Sequence, residues 1–170
     1  MRDTSVGKKI IVLGCPGSGK STLSRKLGEK LGLPLVHLDN IWWRPDRSHI
    51  SREEFDRRLA GILSGDEWII DGDYSRTYEV RFKKCDTVIF LDLPVEICLK
   101  GISDRRGSAR DDIPWVEDAV DPELKAQIRR YGSENRPEIY RLMEKYPKVR
   151  TVVLTSREEA DSWLDGIGTL

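Results

Sequence analysis

The sequence predicts an α/β protein in which five parallel strands form a doubly wound, three-layer sheet. Short apolar runs alternate with amphipathic helical segments along the chain, and parallel neighbours need such crossover helices. The first apolar run leads directly into a glycine-rich segment, residues 14–21, which has the composition of a loop between a buried strand and a helix. The length of 170 residues favours one domain, residues 1–170.

The first elements follow from short-range patterns. Residues 9–13 (Lys-Ile-Ile-Val-Leu) are typical of a strand that is covered on both faces. After the glycine-rich segment, leucines recur at four-residue spacing and Gly32 stands where a helix C-cap is expected. Residues 35–39 predict a second strand, and residues 41–50 a loop that carries tryptophan and arginine.

The middle of the chain continues the alternation. Ser51 and Glu54 form a capping box, which predicts a helix that ends at Gly65. Residues 68–71 predict the third strand and residues 87–91 the fourth, and Pro94 opens the next helix. We expect an acceptor-side segment over approximately residues 39–65.

The last third contains one break in periodicity. Residues 103–121 are rich in arginine and aspartate, and a lid of a phosphotransferase would lie there. Helices are predicted at about 122–131 and 137–146, and a fifth strand at 150–154. Ser156 and Glu159 cap the final helix.

The glycine-rich segment has the pattern Gly-x4-Gly-Lys-Ser, whose chemistry is phosphate capture. Glycines let backbone N–H groups point at phosphate oxygens, and the following helix presents the positive end of its dipole. Lys20 supplies a mobile charge for the terminal phosphates, and the Ser21 hydroxyl is suited to ligate Mg²⁺. The predicted ATP-binding residues are Gly14, Pro16, Gly17, Ser18, Gly19, Lys20, Ser21 and Thr22.

Three aspartates follow predicted strands, at the edge where ligands bind in such sheets. Asp71 is the candidate Mg²⁺ ligand beside Ser21, and its alternative role is an Asp-Gly turn. Asp39 is the candidate acceptor-side carboxylate or base, and its alternative role is a cap. Asp92 is expected to cap the helix after strand four.

Arginines are candidates for the remaining charge, because guanidinium groups match phosphoryl oxygens bidentately. Arg76 and Arg81 are expected to face the acceptor, and Arg105 and Arg110 the transferring phosphoryl group. Arg44, Arg106 and Arg136 are further candidates. Surface charge is the alternative for each of them taken alone.

Aromatic residues surround the candidate carboxylate in sequence. Trp42 and Trp43 cannot both face one core from a strand, so Trp42 is a candidate for stacking on the acceptor, with hydrophobic cover over the sheet as the alternative. His37 alternates with apolar residues, which favours a structural role. Tyr74 lies beside the turn after strand three, and the sequence leaves open whether it contacts an acceptor.

Composition limits the partners. Lys plus Arg number 29 and Asp plus Glu number 29, so zero net charge offers no bulk attraction to DNA, RNA or anionic membranes, although local patches leave DNA binding open. Three scattered cysteines favour free thiols in a reducing compartment. The polar residues 1–5 do not resemble a signal peptide, and no apolar run approaches the roughly 18 residues of a membrane span. We expect a cytoplasmic monomer or homodimer.

The chain resembles the adenylate-kinase-like group of P-loop kinases over nearly its whole length. Residues 68–76 are similar to the "apolar-Asp-Gly-x-Pro-Arg" turn of nucleoside monophosphate kinases, although the arginine falls one residue later and the proline is absent. Residues 86–94, continuing to Arg105 and Arg106, look like the fourth strand and pre-lid helix of that group. Gly101 stands where those kinases usually carry an additional arginine, which the resemblance associates with adenine stacking.

A closer resemblance is to the bacterial DNA topology modulation (FlaR-like) proteins. Their pattern is similar to His37-Leu-Asp39 with the following Trp, to residues 68–72 (Trp-Ile-Ile-Asp-Gly) and to Tyr74-Ser-Arg76. This resemblance implies an ATP-binding kinase and leaves the acceptor open. The Leu-Asp39 ending of strand two also resembles shikimate- and gluconate-type kinases, which favours a hydroxyl of a non-nucleotide.

Two functions follow from these residues. The first is an ATP- and Mg²⁺-dependent phosphotransferase that acts on a nucleotide, a nucleoside or a sugar-like hydroxyl compound. The second is an ATP-binding regulator that acts on DNA topology or on a protein partner and has no small-molecule acceptor.

Overall fold

A computed structural model describes residues 5–168, and the predicted polar start at residues 1–4 lies outside them. The five strands form one parallel sheet in the order β2-β3-β1-β4-β5. Their bounds are β1 Lys9–Gly14, β2 Leu35–His37, β3 Trp68–Asp71, β4 Thr87–Leu91 and β5 Arg150–Leu154. The predicted α/β fold with five parallel strands is therefore confirmed.

Helices cover both faces of the sheet, as the crossover connections require. Their bounds are α1 Lys20–Leu31, α2 Leu38–Trp42, α3 Arg52–Leu63, α4 Tyr78–Phe82, α5 Val95–Asp104, α6 Pro122–Glu134, α7 Arg136–Lys145 and α8 Arg157–Asp165. A short 3₁₀ turn, Ser75–Thr77, precedes α4. No helix in the described range is long and apolar enough to cross a membrane.

The core has two halves because successive residues of β1 point to opposite faces. Ile10 and Val12 pack in a cluster with the buried leucines of α1 and with Trp163 of α8. Ile11 and Leu13 pack on the other face in a cluster with residues of α3 to α7. β1 is buried on both faces, which fixes the glycine-rich loop at its end against the core.

Most predicted helix ends are confirmed by their caps. Gly32 follows α1 with φ 67°, and its N–H donates to the carbonyl of Gly28. Ser51 accepts a bond from the Glu54 N–H, and Ser156 accepts one from the Glu159 N–H. These local bonds satisfy amide groups that a helix start leaves free.

Two expectations are wrong. Asp92 does not cap α5, because its carboxylate accepts bonds from Arg136 Nε (2.9 Å) and Tyr140 Oη (2.8 Å) of α7. Asp39 lies in the short helix α2, although residues 39 and 41–50 were expected to be strand end and loop. Arg136 thus ties α7 to the end of β4.

Candidate active site

The glycine-rich loop joins β1 to α1 at the carboxyl edge of the sheet. Gly17 (φ 83°) and Gly19 (φ 97°) have left-handed backbone conformations, which favour glycine. A side chain on Gly17 would also collide with the Cys98 carbonyl oxygen of α5. The Ser18 N–H donates to the Cys15 carbonyl at 3.0 Å and closes the turn. The loop is therefore held in a shape that only glycine permits, at the N-terminus of a twelve-residue helix.

Two polar groups in this loop fit a polyphosphate. Lys20 Nζ donates to the Cys15 carbonyl at 3.2 Å, so its charge lies against the loop. Ser18 Oγ is buried and has no hydrogen-bond partner among the described residues. Each could donate to a phosphate oxygen, and α1 would add its dipole. The residues present therefore fit the predicted nucleotide phosphates.

Asp73 fixes this loop to the end of β3. Its Oδ1 accepts the N–H of Gly14 (3.0 Å), and its Oδ2 accepts the Tyr78 hydroxyl (2.7 Å). Asn135 Nδ2 in turn donates to the Tyr78 oxygen at 3.2 Å. Sequence reasoning missed Asp73. The one available signal was its place directly after the predicted Asp-Gly turn.

Asp71 and His37 end neighbouring strands and lie directly opposite each other in register. His37 Nδ1 is 2.8 Å from Asp71 Oδ2, and both side chains are largely buried. Burial lowers the His37 pKa, but the bond to Asp71 and its negative charge outweigh burial and leave the pKa raised. His37 thus positions the predicted Mg²⁺ ligand.

A magnesium ion fits this edge without a dense set of protein ligands. Among the described residues there is no group of three or more His, Cys, Asp or Glu side chains that could hold a metal. Mg²⁺ commonly takes one or two protein oxygens and completes its shell with water and substrate phosphates. Ser21 and Asp71 supply two such oxygens, and their role as ligands stays a prediction.

Asp39 lies in the first turn of α2 and accepts the Tyr74 hydroxyl at 2.6 Å. Tyr74 has φ 43°, an uncommon conformation for a residue with a side chain. Burial raises the Asp39 pKa, while the bond from Tyr74 and the charge of Lys20 lower it, and the net pKa is raised. The charge of the phosphate-loop lysine thus acts on the Asp39 carboxylate, and the role of Asp39 on the acceptor side stays a prediction.

Residues 105–121 form an irregular segment after α5, whereas residues 103 and 104 of the predicted lid at 103–121 belong to that helix. The role of this segment as a lid stays a prediction. Arg110 donates to both carboxylate oxygens of Asp112 (2.9 and 2.6 Å) and to Glu117 Oε2 (2.7 Å). Arg105 Nε is buried without a hydrogen-bond partner in the described chain, 3.7 Å from Glu117 Oε2. A cleft of about 170 Å³ separates the lid from α1, with Ser21, Thr22, Arg25, His37, Ala109, Arg110, Asp111 and Asp112 in its wall.

Two arginines predicted to contact the acceptor are engaged elsewhere. Arg76 is half-exposed and makes a forked pair with Asp56 (3.0 and 2.8 Å). Arg81 is fully buried and donates to the Gly72 carbonyl (2.9 Å), the Asp73 carbonyl and the Thr77 hydroxyl. Arg81 thus has a structural role in the turn after β3, in place of the predicted acceptor contact.

Trp42 packs against other aromatic rings next to Asp39. Its ring stacks on His49 at 4.3 Å and meets Tyr74 edge-on at 6.2 Å. Trp43 meets Trp115 of the lid edge-on at 5.6 Å. The tryptophan pair therefore joins the acceptor-side segment to the lid, and stacking of Trp42 on an acceptor stays a prediction.

Arg157, at the start of α8, is a second residue that sequence reasoning missed. Its Nη2 donates to the Gly17 carbonyl at 3.0 Å, and the residue lines a cleft of about 210 Å³ between α1 and α8. A methyl group on Gly101 would collide with the Gly17 carbonyl and lie 2.9 Å from Arg157 Nη2. Gly101, where the resembled kinases carry arginine, thus has no room for a side chain. The guanidinium of Arg157 reaches the same place from α8.

The close contact of α5 with the phosphate loop can be tested by comparing alanine substitutions at two helical glycines, Gly101 and Gly132. We expect Gly101→Ala to lower the free energy of unfolding by about 1–3 kcal/mol and to weaken ATP binding, because α5 must move off the phosphate loop. Gly132→Ala is the control, since it also lies in a helix but its added methyl meets nothing within 4 Å. It is expected to raise stability by roughly 0.5–1 kcal/mol. Urea unfolding and ATP titration measure both, and equal effects would contradict the packing argument.

A parallel sheet of this order with a Gly-x4-Gly-Lys-Ser loop after β1 defines a P-loop NTPase domain with a kinase-like fold. The profile of the AAA domain family (AAA_18) matches residues 10–123. The chain belongs to that family.

Individual relatives agree with this class. A shikimate kinase of Paracidovorax citrulli (strain AAC00-1) is 29% identical over 84 residues, which cover 49% of this chain and 35% of that protein. A tRNA dimethylallyltransferase 1 of Citrifermentans bemidjiense is 28% identical over 187 residues, covering 94% of this chain and 60% of that protein. The chain thus spans about a third and three fifths of the lengths of these relatives.

Solved structures share the fold. Shikimate kinase from Acinetobacter baumannii in complex with shikimate superposes with a TM-score of 0.57 at 17% identity, covering 93% of this chain and 90% of that one. Deoxyadenosine kinase from M. mycoides with bound dATP gives 0.57 at 15% identity, covering 92% and 95%. These structures share the fold of this chain.

Proposed function

We propose that the protein is an ATP- and Mg²⁺-dependent phosphotransferase that moves the γ-phosphate of ATP to a hydroxyl of a small acceptor. The observation that carries this proposal is the position of the Asp39 carboxylate, half-buried beside the phosphate loop and within reach of the charge of Lys20. A simple nucleotide-binding domain needs no such carboxylate, whereas phosphoryl transfer needs a group that orients the attacking hydroxyl.

In this proposal each side chain has one task. The loop amides and Lys20 hold the β- and γ-phosphates, and Ser21 and Asp71 hold the Mg²⁺, whose charge stabilises the transferring phosphoryl group. Arg105, whose buried Nε lacks a hydrogen-bond partner among described residues, donates to the phosphoryl oxygens. Asp39 accepts the proton of the acceptor hydroxyl. Arg110 orders the lid through Asp112 and Glu117, and Arg76 stays a candidate only if its pair with Asp56 opens.

The wider assignments are part of the same proposal. We place residues 1–170 in one domain with a lid at 103–121, and we assign the chain to the DNA topology modulation (FlaR-like) type on the motifs around Asp39 and Asp71. The three buried free cysteines fit a reducing compartment such as the cytoplasm.

Acceptor-dependent ADP release tests the proposal. Incubation with ATP, Mg²⁺ and a panel of nucleosides, nucleotides and polyols is expected to release ADP faster with at least one acceptor than with none. Absence of any such acceptor would contradict the kinase. ATP binding without turnover, together with a salt-sensitive DNA complex, would favour a nucleotide-dependent regulator of DNA.

A further inference from the structure

Arg110 is one of three arginines in residues 105–121, and three of its five N–H donors are used on carboxylates of the same segment. Arg110 pairs with Asp112 through two parallel bonds and with Glu117 through a third, and its side chain is 12% exposed. A forked guanidinium–carboxylate pair uses the donors that would recognise a phosphate or carboxylate on a ligand. The charge of Arg110 in this state is therefore balanced by two carboxylates, which weakens its attraction for an anionic acceptor.

Several other arginines on this side have partners as well. Arg76 is paired with Asp56, and Arg81 is buried on backbone carbonyls. Arg25, in the wall of the cleft, lies 3.7 Å from Glu29 and 3.9 Å from Asp111. Arg47 lies outside the cleft wall, with its guanidinium 5.6 Å from the centre of the Trp115 ring. Arg25, Arg76 and Arg81 are thus paired or buried, and Arg44, Arg47 and Arg106 are exposed and lie outside the wall of the cleft.

The carboxylate at the acceptor position is not neutralised in the same way. Asp39 accepts a bond from the uncharged hydroxyl of Tyr74, and the positive charges that act on it include those of Lys20, which contacts the phosphate loop, and Arg105. In the proposed function the phosphates of ATP take up these two cations. The field that remains on the acceptor side is then negative.

We propose that the acceptor is an uncharged hydroxyl compound, and that Asp112 and Glu117 exclude phosphorylated and carboxylated acceptors by holding Arg110. This inference rests on the proposed phosphotransferase. A hydroxyl bonds to Asp39 at no electrostatic cost, whereas an anionic group about 6 Å from that carboxylate is repelled, which disfavours it on the order of 100-fold at the dielectric typical of protein sites. Asp112 and Glu117 are positioning residues here, since they act through Arg110.

Matched acceptors on the wild-type protein test the charge rule. Adenosine is compared with AMP, glucose with gluconate, and inositol with shikimate. The readout is kcat/KM for ADP release. We expect each uncharged compound that turns over to exceed its anionic counterpart at least 10-fold. Preferred turnover of an anionic compound would overturn the inference and leave the kinase standing. No turnover with any compound would overturn both.

Removing negative charge from the lid tests the proposed role of Asp112 and Glu117. Asp112→Asn together with Glu117→Gln releases Arg110, and we expect the ratio of anionic to uncharged kcat/KM to rise about 10-fold or more. Asp118→Asn, an exposed neighbour in the lid, is the control that should leave the ratio unchanged. Arg110→Ala removes the released cation and should not raise the ratio. A ratio unchanged in the double variant, or in Glu117→Gln alone if the double variant melts early, would contradict the role of the lid carboxylates.

Discussion

Lys20→Ala is expected to reduce ATP turnover by roughly 10²–10³-fold while the fold is retained. Such a loss is typical when one charged donor to a developing oxyanion is removed from a preorganised site. Lys20 is half-buried in the first turn of α1. Within the described chain, its Nζ donates a hydrogen bond to the Cys15 carbonyl of the loop and to no other group. Its removal therefore takes a charge from the phosphate site without opening the core. Steady-state kinetics and ATP titration measure the effect.

Lys100→Ala is the matched control for this prediction. Lys100 lies on α5, its side chain is 76% exposed, and its partner Asp104 is 3.7 Å away. An exposed i,i+4 pair contributes little, so turnover and melting temperature should stay close to wild type. Equal turnover in folded Lys20→Ala and in Lys100→Ala would overturn the assignment of the glycine-rich loop.

The fold was predictable because its signals are local. The strand β1 is a continuous apolar run, and the caps at Gly32, Ser51 and Ser156 are made by residues within five positions of one another. Such bonds depend on short sequence separation and elementary backbone geometry, so they can be inferred without tertiary contacts. The strand order β2-β3-β1-β4-β5 was not predicted, because the crossover rules narrow the possible orders without fixing one.

The partners of charged side chains were not predictable in the same way. Arg76 and Arg81 both follow the Asp-Gly turn, yet one is paired with Asp56 of α3 and the other is buried under that turn. The partners of these two arginines depend on which element packs against each of them, and a sequence pattern does not encode that packing. The same holds for Arg157, which reaches the phosphate loop across about 140 residues of chain.

Asp39 shows what local reasoning can and cannot give. Its place after the second apolar run predicts the carboxyl edge of the sheet, and the structure puts it there at the start of α2. Its partner Tyr74 comes from the turn after β3, and the bond depends on a left-handed backbone at Tyr74. Sequence therefore located the carboxylate but not the group that holds it.

Asp39→Asn is expected to abolish most turnover and to keep ATP binding close to wild type. An amide retains the shape and the bond partner but accepts a proton poorly, so it loses the general-base contribution of about 10²–10⁴-fold. Tyr74→Phe is the companion variant, because it keeps the carboxylate and removes the hydroxyl that lowers the Asp39 pKa. The acid limb of its pH–turnover profile should therefore move to higher pH than in the wild type. Equal loss of ATP affinity and turnover in Asp39→Asn would place Asp39 in the nucleotide site.

The same variant separates catalysis from stability. Burial raises the Asp39 pKa in the folded state above the ordinary value of about 3.9, so the folded protein holds this proton more tightly than the unfolded chain. Ionisation of Asp39 then disfavours folding, and this cost grows as pH rises from the unfolded pKa through the folded one. Asp39→Asn should accordingly melt at a higher temperature than wild type at pH 7, with the difference vanishing near pH 3. A higher melting temperature would show that the ionised Asp39 carboxylate costs stability, as expected for a residue that serves the chemistry of the site. A lower melting temperature for Asp39→Asn at pH 7 would make Asp39 a structural residue.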